Sequence, residues 1–144
     1  MNASNIEVDE QWKGLYEASE DFRAKYEEMY LAVESLPEGL IERGRNLEYP
    51  QLHNACLEVD FELVKGLLEA GASADSYTYT EGDTDTTPLV WLAESQMDSK
   101  DKLSLARLLV RYGADVNEGD ALAAARDWDD EDFVDFLVEA GATD

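Results

Sequence analysis

The stretch from Leu52 to Gly71 is the feature that most constrains the fold of this chain. It contains two short apolar patterns at helical spacing, separated by a three-residue turn and closed by a glycine. Its ending, a leucine four residues before a Gly-Ala pair, returns twice downstream, at Leu109 and Leu137. Neither helix is long enough to enclose a core alone, so a stack of repeated helix pairs is the expected way to bury their apolar faces.

The net charge of the chain limits the kinds of molecule that it can bind. Of 144 residues, 34 are acidic and 11 are basic, which gives a formal net charge of -23 at pH 7. Such a field repels nucleic-acid phosphates and anionic membranes, and it attracts basic proteins. Solubility alone, or adaptation to high salt, would also account for the charge. The hydrophobic content of 44% indicates a globular chain with one domain or one short repeat array.

Cysteine usage and the lack of apolar runs bear on localisation. Cys56 is the only cysteine, which excludes an intrachain disulfide, a cysteine-based zinc site and a CxxC motif. The first residues are neither basic nor apolar enough for a signal peptide. No run of about 18 apolar residues exists to span a membrane. We therefore expect a protein of the reducing cytoplasm whose partners include neither nucleic acid nor membrane.

Residues 1–46 are predicted to form an N-terminal helical cap. Apolar side chains recur at three- and four-residue steps over residues 7–35, which gives one apolar stripe on a helix. The run covers too few heptads to favour a coiled coil, so we expect the stripe to pack on the end of the repeats. The sequence Ser35-Leu36-Pro37-Glu38 matches a capping box with proline at the first helical position, and it predicts a short helix that ends near Gly44.

The remaining elements follow from periodicity and from start and stop signals. Gly71, Gly113 and Gly141 each close an apolar helical pattern, as glycine does in the left-handed position after a helix. Thr87-Pro88 opens a helix, with the threonine as N-cap. Aromatic and β-branched residues alternate around Glu-Gly-Asp, which predicts a β-hairpin over residues 76–87. The predicted helices cover residues 50–57, 60–69, 88–95, 103–111, 120–127 and 131–139, with a polar loop at 95–101.

These patterns resemble the ankyrin repeat, whose period is about 33 residues and whose signature is T-P-L-H-x-A. The three copies begin with Leu52-His53-Asn54-Ala55, Thr87-Pro88-Leu89 and Leu122-Ala123-Ala124-Ala125, and each ends in a Gly-Ala pair. The resemblance implies an all-α fold: a helical solenoid with an N-terminal helical cap and one extended β-hairpin finger. The array would occupy residues 47–144, with repeats at 47–76, 77–117 and 118–144.

Spacings within the array locate its irregularities. The signature leucine precedes the closing glycine by 19 residues in the first and third repeats, and by 24 in the second. From each closing glycine to the next signature leucine there are 18 and then 9 residues. Because insertions in repeat proteins map to loops, one finger is predicted to be long and the next to be short.

The residues needed for catalysis are missing or isolated. His53 is the only histidine, so no histidine-based metal cluster or catalytic triad can form within the chain. The ankyrin resemblance implies instead that His53 hydrogen-bonds the backbone between repeats. Cys56 stands where that family has a small core alanine, and we interpret it as a small hydrophobe rather than a nucleophile.

Carboxylate clusters are the remaining candidates for chemistry. Residues 83–85 and 127–132 could attract a divalent cation, but neither cluster has the spacing of a twelve-residue calcium loop. Weak, unspecific attraction of cations is the favoured interpretation. We therefore predict no metal, no cofactor and no enzymatic activity.

Aromatic and acidic residues coincide at the positions through which ankyrin proteins bind other proteins, namely the fingers and the ends of the inner helices. Aromatic anchors within a charged rim are typical of interface hot spots. Structural roles are the alternative: Tyr77 and Tyr79 would staple the hairpin, and Trp128 would fill the open end of the array. The candidate partner-binding residues are Tyr49, Leu57, Glu58, Tyr77, Tyr79, Glu81, Asp83, Asp85, Glu94, Ser95, Asp127 and Trp128.

The distribution of charge favours a basic target. The first 46 residues hold 5 basic and 11 acidic side chains, whereas the rest hold 6 and 23. We therefore predict a non-catalytic protein–protein interaction module that binds and inhibits a basic protein. An immunity protein that neutralises a toxin, or an inhibitor that occupies a nucleic-acid-binding groove, would have this size and charge. The alternative is a general ankyrin adaptor or assembly subunit whose acidity serves solubility.

Overall fold

The fold is all-α, as the sequence predicts. The computed structural model describes residues 20–76 and 86–143. Within these two ranges the chain forms eight α-helices and a short 3₁₀ turn, and it forms no strand. None of these eight helices is long and apolar enough to cross a membrane. The helices are α1 (Glu20–Glu34), α2 (Glu38–Asn46), α3 (Gln51–Leu57), α4 (Phe61–Glu69), α5 (Pro88–Glu94), α6 (Ser99–Arg111), α7 (Ala121–Asp127) and α8 (Glu131–Glu139).

The bounds of most helices agree with those predicted. α3, α4, α5, α7 and α8 begin and end within one residue of the expected positions. α6 is longer than predicted, because it begins at Ser99 rather than at Leu103. Asp98 makes this earlier start possible by accepting a hydrogen bond from the N–H of Lys100 at 3.1 Å, which caps the first turn. The polar loop predicted over residues 95–101 is correspondingly shorter.

The capping box predicted at Ser35-Leu36-Pro37-Glu38 is wrong. α2 begins at Glu38, and its N-cap Pro37 makes no side-chain hydrogen bond to the helix. Ser35 instead closes the end of α1, where its N–H donates to the carbonyl oxygen of Leu31 at 3.0 Å. The fixed φ of Pro37 starts the new helix without a capping side chain.

The predicted β-hairpin falls mostly outside the described residues, which exclude 77–85. Its described ends are not strands. The Ser76 hydroxyl donates to the carbonyl oxygen of Ser73 at 2.6 Å, and Thr87 is the N-cap of α5, accepting from the N–H of Val90 at 3.4 Å. Ser76 and Thr87 are both buried, so both ends of this segment are anchored in the fold.

The turns between α3 and α4 and between α7 and α8 have the same hydrogen bonds. Each N-cap aspartate, Asp60 or Asp130, donates its N–H to the first helix at 3.0 Å and accepts from an N–H of the second helix at 3.2 Å. The residues just before these aspartates, Val59 and Asp129, both have left-handed backbones, with φ of 56° and 54°. The two helix pairs therefore share one turn geometry.

The three Gly-Ala endings also share one geometry. Gly71, Gly113 and Gly141 have φ of 109°, 100° and 106°, a region that favours glycine. In each case the alanine after the glycine donates its N–H to the carbonyl oxygen of a leucine five residues earlier, at 2.9 to 3.0 Å. This bond satisfies a carbonyl group that the end of the helix would otherwise leave without a partner.

The helices pack in two rows around a single core. α3, α5 and α7 contact one another in succession in the first row, and α2, α4, α6 and α8 do so in the second. α1 packs against α2 and α4. Leucine and alanine side chains from both rows form one buried cluster. Because each pair buries its apolar face against its neighbours, no pair needs a core of its own.

The N-terminal helices join this core at a close contact around Leu36. A Cβ placed on Gly44 or on Gly66 would lie 3.0 Å from a Cδ atom of Leu36. The Leu36 side chain is buried, and it fits between α2 and α4 because both glycines lack a side chain.

A recurring hydrogen bond, which we call a loop bond, connects the loop after each Gly-Ala ending to an earlier part of the chain. The donor is always the backbone N–H two residues after the closing glycine. The acceptor is always a side-chain oxygen from an earlier helix or loop. The three loop bonds join Ser73 to Glu28 at 3.2 Å, Asp115 to Asp75 at 3.0 Å, and Thr143 to Asn117 at 2.8 Å.

Candidate functional site

The first-row helices bring six of the predicted partner-binding residues to one edge of the molecule. α3, α5 and α7 are each seven residues long. Their amino ends meet, because His53 Nε2 lies 2.9 Å from the carbonyl oxygen of Thr86, and a Cβ on Gly119 would lie 3.1 Å from Val90 Cγ2. The carboxyl ends lie on one side as well, because these short helices pack against one another in succession and Lys102 bonds both Ser95, after α5, and Asp130, after α7. We call this surface the carboxyl edge, and its predicted residues are Leu57, Glu58, Glu94, Ser95, Asp127 and Trp128.

Apolar side chains are exposed at both ends of the carboxyl edge. Leu57 is 42% exposed and Trp128 is 51% exposed, whereas most large apolar side chains of the described chain are buried. Phe61, in the first turn of α4, is a further exposed aromatic residue that the sequence analysis did not single out. Side chains of this kind within a charged surface are typical of protein interfaces.

Acidic side chains occupy the carboxyl ends of the same helices. Glu58 is the C-cap of α3, Glu94 is the last residue of α5 and Asp127 is the last residue of α7, and all three are exposed. Because the carboxyl end of a helix already carries partial negative charge, the backbone and the side chains add to one negative potential. Ser95 differs from them, since it is half-buried and its hydroxyl donates to the carbonyl oxygen of Leu92 at 2.9 Å.

A buried lysine lies beneath the carboxyl edge. Lys102 of α6 is 4% exposed, and its Nζ donates to the carbonyl oxygen of Ser95 at 2.8 Å and to Asp130 Oδ2 at 2.7 Å. The same Nζ lies 5.6 Å from the centre of the Phe133 ring. Lys102 therefore ties the carboxyl end of α5 to the N-cap of α8, close in sequence to the exposed Trp128.

The equivalent turn between α3 and α4 is held by Arg43 of α2. Its guanidinium group pairs with Asp60 and with Glu62, whose Oε1 lies 2.8 Å from Nη1. The hydrogen bond from Arg43 lowers the pKa of Asp60 below its usual value. Asp60 and Asp130 are equivalent N-caps, so a cation from the second row holds each turn that presents an exposed apolar residue.

A second polar group joins the amino ends of α3 and α5. His53 is fully buried, and its Nε2 donates to the carbonyl oxygen of Thr86, which can only accept. The Trp91 ring packs edge-on against His53 at 5.0 Å, and its Nε1 donates to Thr86 Oγ1 at 2.6 Å. Burial lowers the pKa of His53 to about 4. The histidine is thus a neutral packing residue with a backbone hydrogen bond, as expected from the sequence.

The other predicted partner-binding residues lie elsewhere. Tyr49 precedes α3 and is half-buried, with its ring centre 5.1 Å from that of Tyr26. It lies at the opposite end of α3 from Leu57, and a seven-residue helix is about 10 Å long, so Tyr49 is separate from the carboxyl edge. The last five predicted residues lie outside the described part of the chain, and they are Tyr77, Tyr79, Glu81, Asp83 and Asp85.

The described residues offer little for catalytic chemistry. Cys56 is buried, and burial raises the pKa of its thiol to about 12, which leaves it protonated at neutral pH. No group of three or more His, Cys, Asp or Glu side chains in the described ranges is arranged to hold a metal ion.

A scan against protein-family models finds no match for the chain, and searches of curated proteins and of solved structures find no match either.

The cations that hold the carboxyl edge could not be read from the sequence. The aspartates Asp60 and Asp130 carry a local signal, since each directly precedes a helical apolar pattern. Their partners Arg43 and Lys102 are 17 and 28 residues away, and no local pattern links the two members of either pair.

Proposed function

We propose that this chain is a non-catalytic module that binds a basic partner protein through the carboxyl edge. The observation that carries the proposal is the position of Leu57 and Trp128, both exposed, among carboxylates at the ends of three helices. The apolar side chains would anchor the partner, since exposed aromatic residues supply much of the affinity of protein interfaces. The surrounding carboxylates would select lysine and arginine and speed association.

The acidic residues of the carboxyl edge stand beside its exposed apolar side chains. An acidic side chain at the carboxyl end of a helix costs a few tenths of a kcal/mol, whereas at the amino end it is favourable. α6 and α8 carry acidic residues in their first turns, where they serve solubility without that cost. Glu58, Glu94 and Asp127 stand at the unfavourable ends, and so do Glu34, Glu69 and Glu139 at the ends of α1, α4 and α8. What supports binding at the carboxyl edge is that Glu58 and Asp127 directly adjoin Leu57 and Trp128, which are both exposed.

The repeated geometry supports an ankyrin-like solenoid as the scaffold for this surface. The shared turn, the three glycine endings and the loop bonds recur at equivalent positions of successive helix pairs. Recurrence of this kind is how repeat proteins build one continuous core. In this proposal the β-hairpin finger projects from Ser76 and Thr86, whose hydrogen bonds fix its base.

Binding at an acidic surface would inhibit a partner that needs its own basic surface. Nucleic-acid-binding proteins and many toxins that attack nucleic acids approach phosphates through lysine and arginine. An acidic module that covers these residues competes directly with the nucleic acid. An immunity protein or a cytoplasmic inhibitor is the form of function that we propose.

The test is affinity capture from the native lysate at about 50 mM and about 500 mM salt, with quantification of the retained proteins. The Glu58→Gln, Glu94→Gln variant removes two charges from the carboxyl edge. The matched control Glu38→Gln, Glu69→Gln removes two equally exposed charges from second-row helices. A third variant, Trp128→Ala, removes the aromatic anchor.

We expect a basic protein that is retained at low salt and lost at high salt. The carboxyl-edge variant should retain several-fold less of it, whereas the control should retain as much as the natural chain. Capture that is independent of the salt concentration but is lost in the Trp128→Ala variant would favour the adaptor function. Equal capture by all variants, or capture of acidic proteins alone, would refute binding through the carboxyl edge.

A further inference from the structure

A groove on α6 and α8 shares no residue with the carboxyl edge. Its apolar lining residues are Leu103 from α6 with Phe136 and Ala140 from α8. Charged side chains line its two sides, with Arg107 on α6 and a row of carboxylates on α8. We call this surface the outer groove, and its carboxylates are Asp132, Asp135 and Glu139.

The carboxylates of the outer groove form a line along α8. They are three and four residues apart, so they lie on one face of the helix. Arg107 lies over the Phe136 ring, with its Cζ 6.0 Å from the ring centre. Arg107 forms no ion pair with any other residue in the described ranges. Both sides of the groove therefore present charge that another molecule can use.

The repeat register shows that the middle acid of this row is particular to α8. Counted back from the closing glycine, Asp135 corresponds to Arg107 of α6 and to Lys65 of α4. The last helix thus carries an acid where both earlier helices carry a cation. Asp135 is exposed, so neither the core nor the helix requires this change of sign.

We propose that the outer groove binds an amphipathic helix of a basic partner. An apolar side chain of that helix would lie on Leu103 and Phe136, and lysine or arginine side chains three and four residues apart would face the acids of α8. An acidic residue on its other side would pair with Arg107. Helices that dock in grooves are recognised through this spacing. This inference rests on one part of the proposed function, namely that the partner protein is basic.

A second copy of this chain is a poor occupant. Each copy carries a net charge of -23, so two copies repel one another.

The test uses the full chain, isotopically labelled for NMR, and a synthetic leucine–lysine peptide of about 14 residues in helical register. We expect chemical-shift changes at residues 103–107 and 132–140. Changes confined to residues 57–58, 94–95 and 127–128 would refute the outer groove while supporting the carboxyl edge. No change at either surface would also refute the outer groove, and it would leave the lysate experiment to decide on the carboxyl edge.

Two variants separate a specific site from general attraction. Asp135→Lys restores the charge found at the equivalent positions of α4 and α6, and we expect it to weaken peptide binding about tenfold. Glu69→Lys makes the same change at an exposed position of α4 and should weaken it about twofold at most. Equal losses in the two variants would mean unspecific attraction and would overturn the proposal.

Arg107 supplies a further check on orientation. Arg107→Gln should tighten binding of the leucine–lysine peptide, because it removes a like charge from the groove. A second peptide, with glutamate in place of the lysine nearest Arg107, should lose affinity in the same variant. If Arg107→Gln affected the two peptides alike, the proposed placement of the helix would be wrong.

Discussion

Lys102 Nζ lies 2.7 Å from Asp130 Oδ2, and this ion pair is almost wholly shielded from water on the lysine side. Removing two charges from water has a large cost, so such a pair is seldom the most stable choice for a buried position. What it provides is geometry: Lys102 also binds the carbonyl oxygen of Ser95 and so fixes α5 relative to α8. We interpret the pair as a device that holds the turn bearing Trp128 in one position.

Replacing Lys102 by methionine should lower the free energy of unfolding by about 3 kcal/mol, because the Asp130 carboxylate would lose the ammonium group that faces it. Adding Asp130→Asn to the Lys102→Met variant should restore at least about half of the lost free energy of unfolding, since asparagine still caps α8. Urea denaturation of the two single variants and the double variant measures this coupling. Losses that simply add would show that the two side chains are not coupled.

Acidification should destabilise the fold through His53. Burial holds its pKa at about 4, whereas a histidine in an unfolded chain titrates near 6.5. The unfolded state therefore binds the extra proton between these values. The contribution of His53 is complete above about pH 6.5 and is lost as the pH falls to about 4, with a total of about 3 kcal/mol.

His53→Gln is the matched control for this prediction, because glutamine can donate to the carbonyl oxygen of Thr86 without titrating. His53 is the only histidine, and the carboxylates titrate in both proteins. The free energies of unfolding of the natural chain and the variant should therefore converge as the pH falls. Parallel curves between about pH 4 and 6.5 would contradict the buried neutral histidine.

Asp75→Asn should raise the melting temperature at pH 7 by about 2 °C. Burial raises the pKa of Asp75, so the folded state binds its proton more readily than the unfolded state, and stability falls as the pH rises through the folded pKa. Asparagine keeps an oxygen for the N–H of Asp115, just as Asn117 accepts from Thr143.

Two measurements check the Asp75 prediction. Its gain in melting temperature should disappear below about pH 4, where the carboxyl of the natural chain is itself neutral. Asp75→Ala, which removes the acceptor, should instead lower the free energy of unfolding by about 1 kcal/mol. A loss of stability in the asparagine variant at pH 7 would show that the charge of Asp75 strengthens the loop bond more than its burial costs.

Val59→Asn should stabilise the fold by about 0.5 to 1 kcal/mol. Val59 has a φ of 56°, which a β-branched residue adopts only under strain, and asparagine tolerates this region well. The loss of the partly buried valine side chain offsets some of the gain. Asp129→Asn is the control, because Asp129 has the same backbone but already tolerates it. Thermal denaturation should show a larger rise for Val59 than for Asp129.

Much of the helical fold could be predicted because its signals are local. Thr87 and the three closing glycines mark helix ends within one or two residues of themselves, and the structure confirms those ends. The start of α6 was misplaced because Asp98 lies within a polar stretch that looks like a loop. The pairing of Lys102 with Asp130 and the separation of Tyr49 from Leu57 depend on packing between distant segments, which no local pattern records.

The predictions for residues 77–85 and for the partner remain predictions. The finger carries five of the candidate residues, and the described part of the chain fixes only its two ends. The ankyrin resemblance stays a prediction, and the basic partner is a proposal that the capture and peptide experiments test.

The loop bonds make each loop depend on a part of the chain that precedes it. In each loop bond the acceptor side chain lies earlier in the chain than the donor. The loop at Thr143 therefore depends on Asn117, whereas no described loop depends on Thr143. Opening of α7 and α8 would leave the other loop bonds intact, whereas loss of Glu28 in α1 would release the loop that supports every later pair. Trp128 lies on the last described helix pair, and the outer groove lies between α8 of that pair and α6 of the pair before it. Both proposed surfaces therefore include residues of the pair whose own loop bond supports no other described loop.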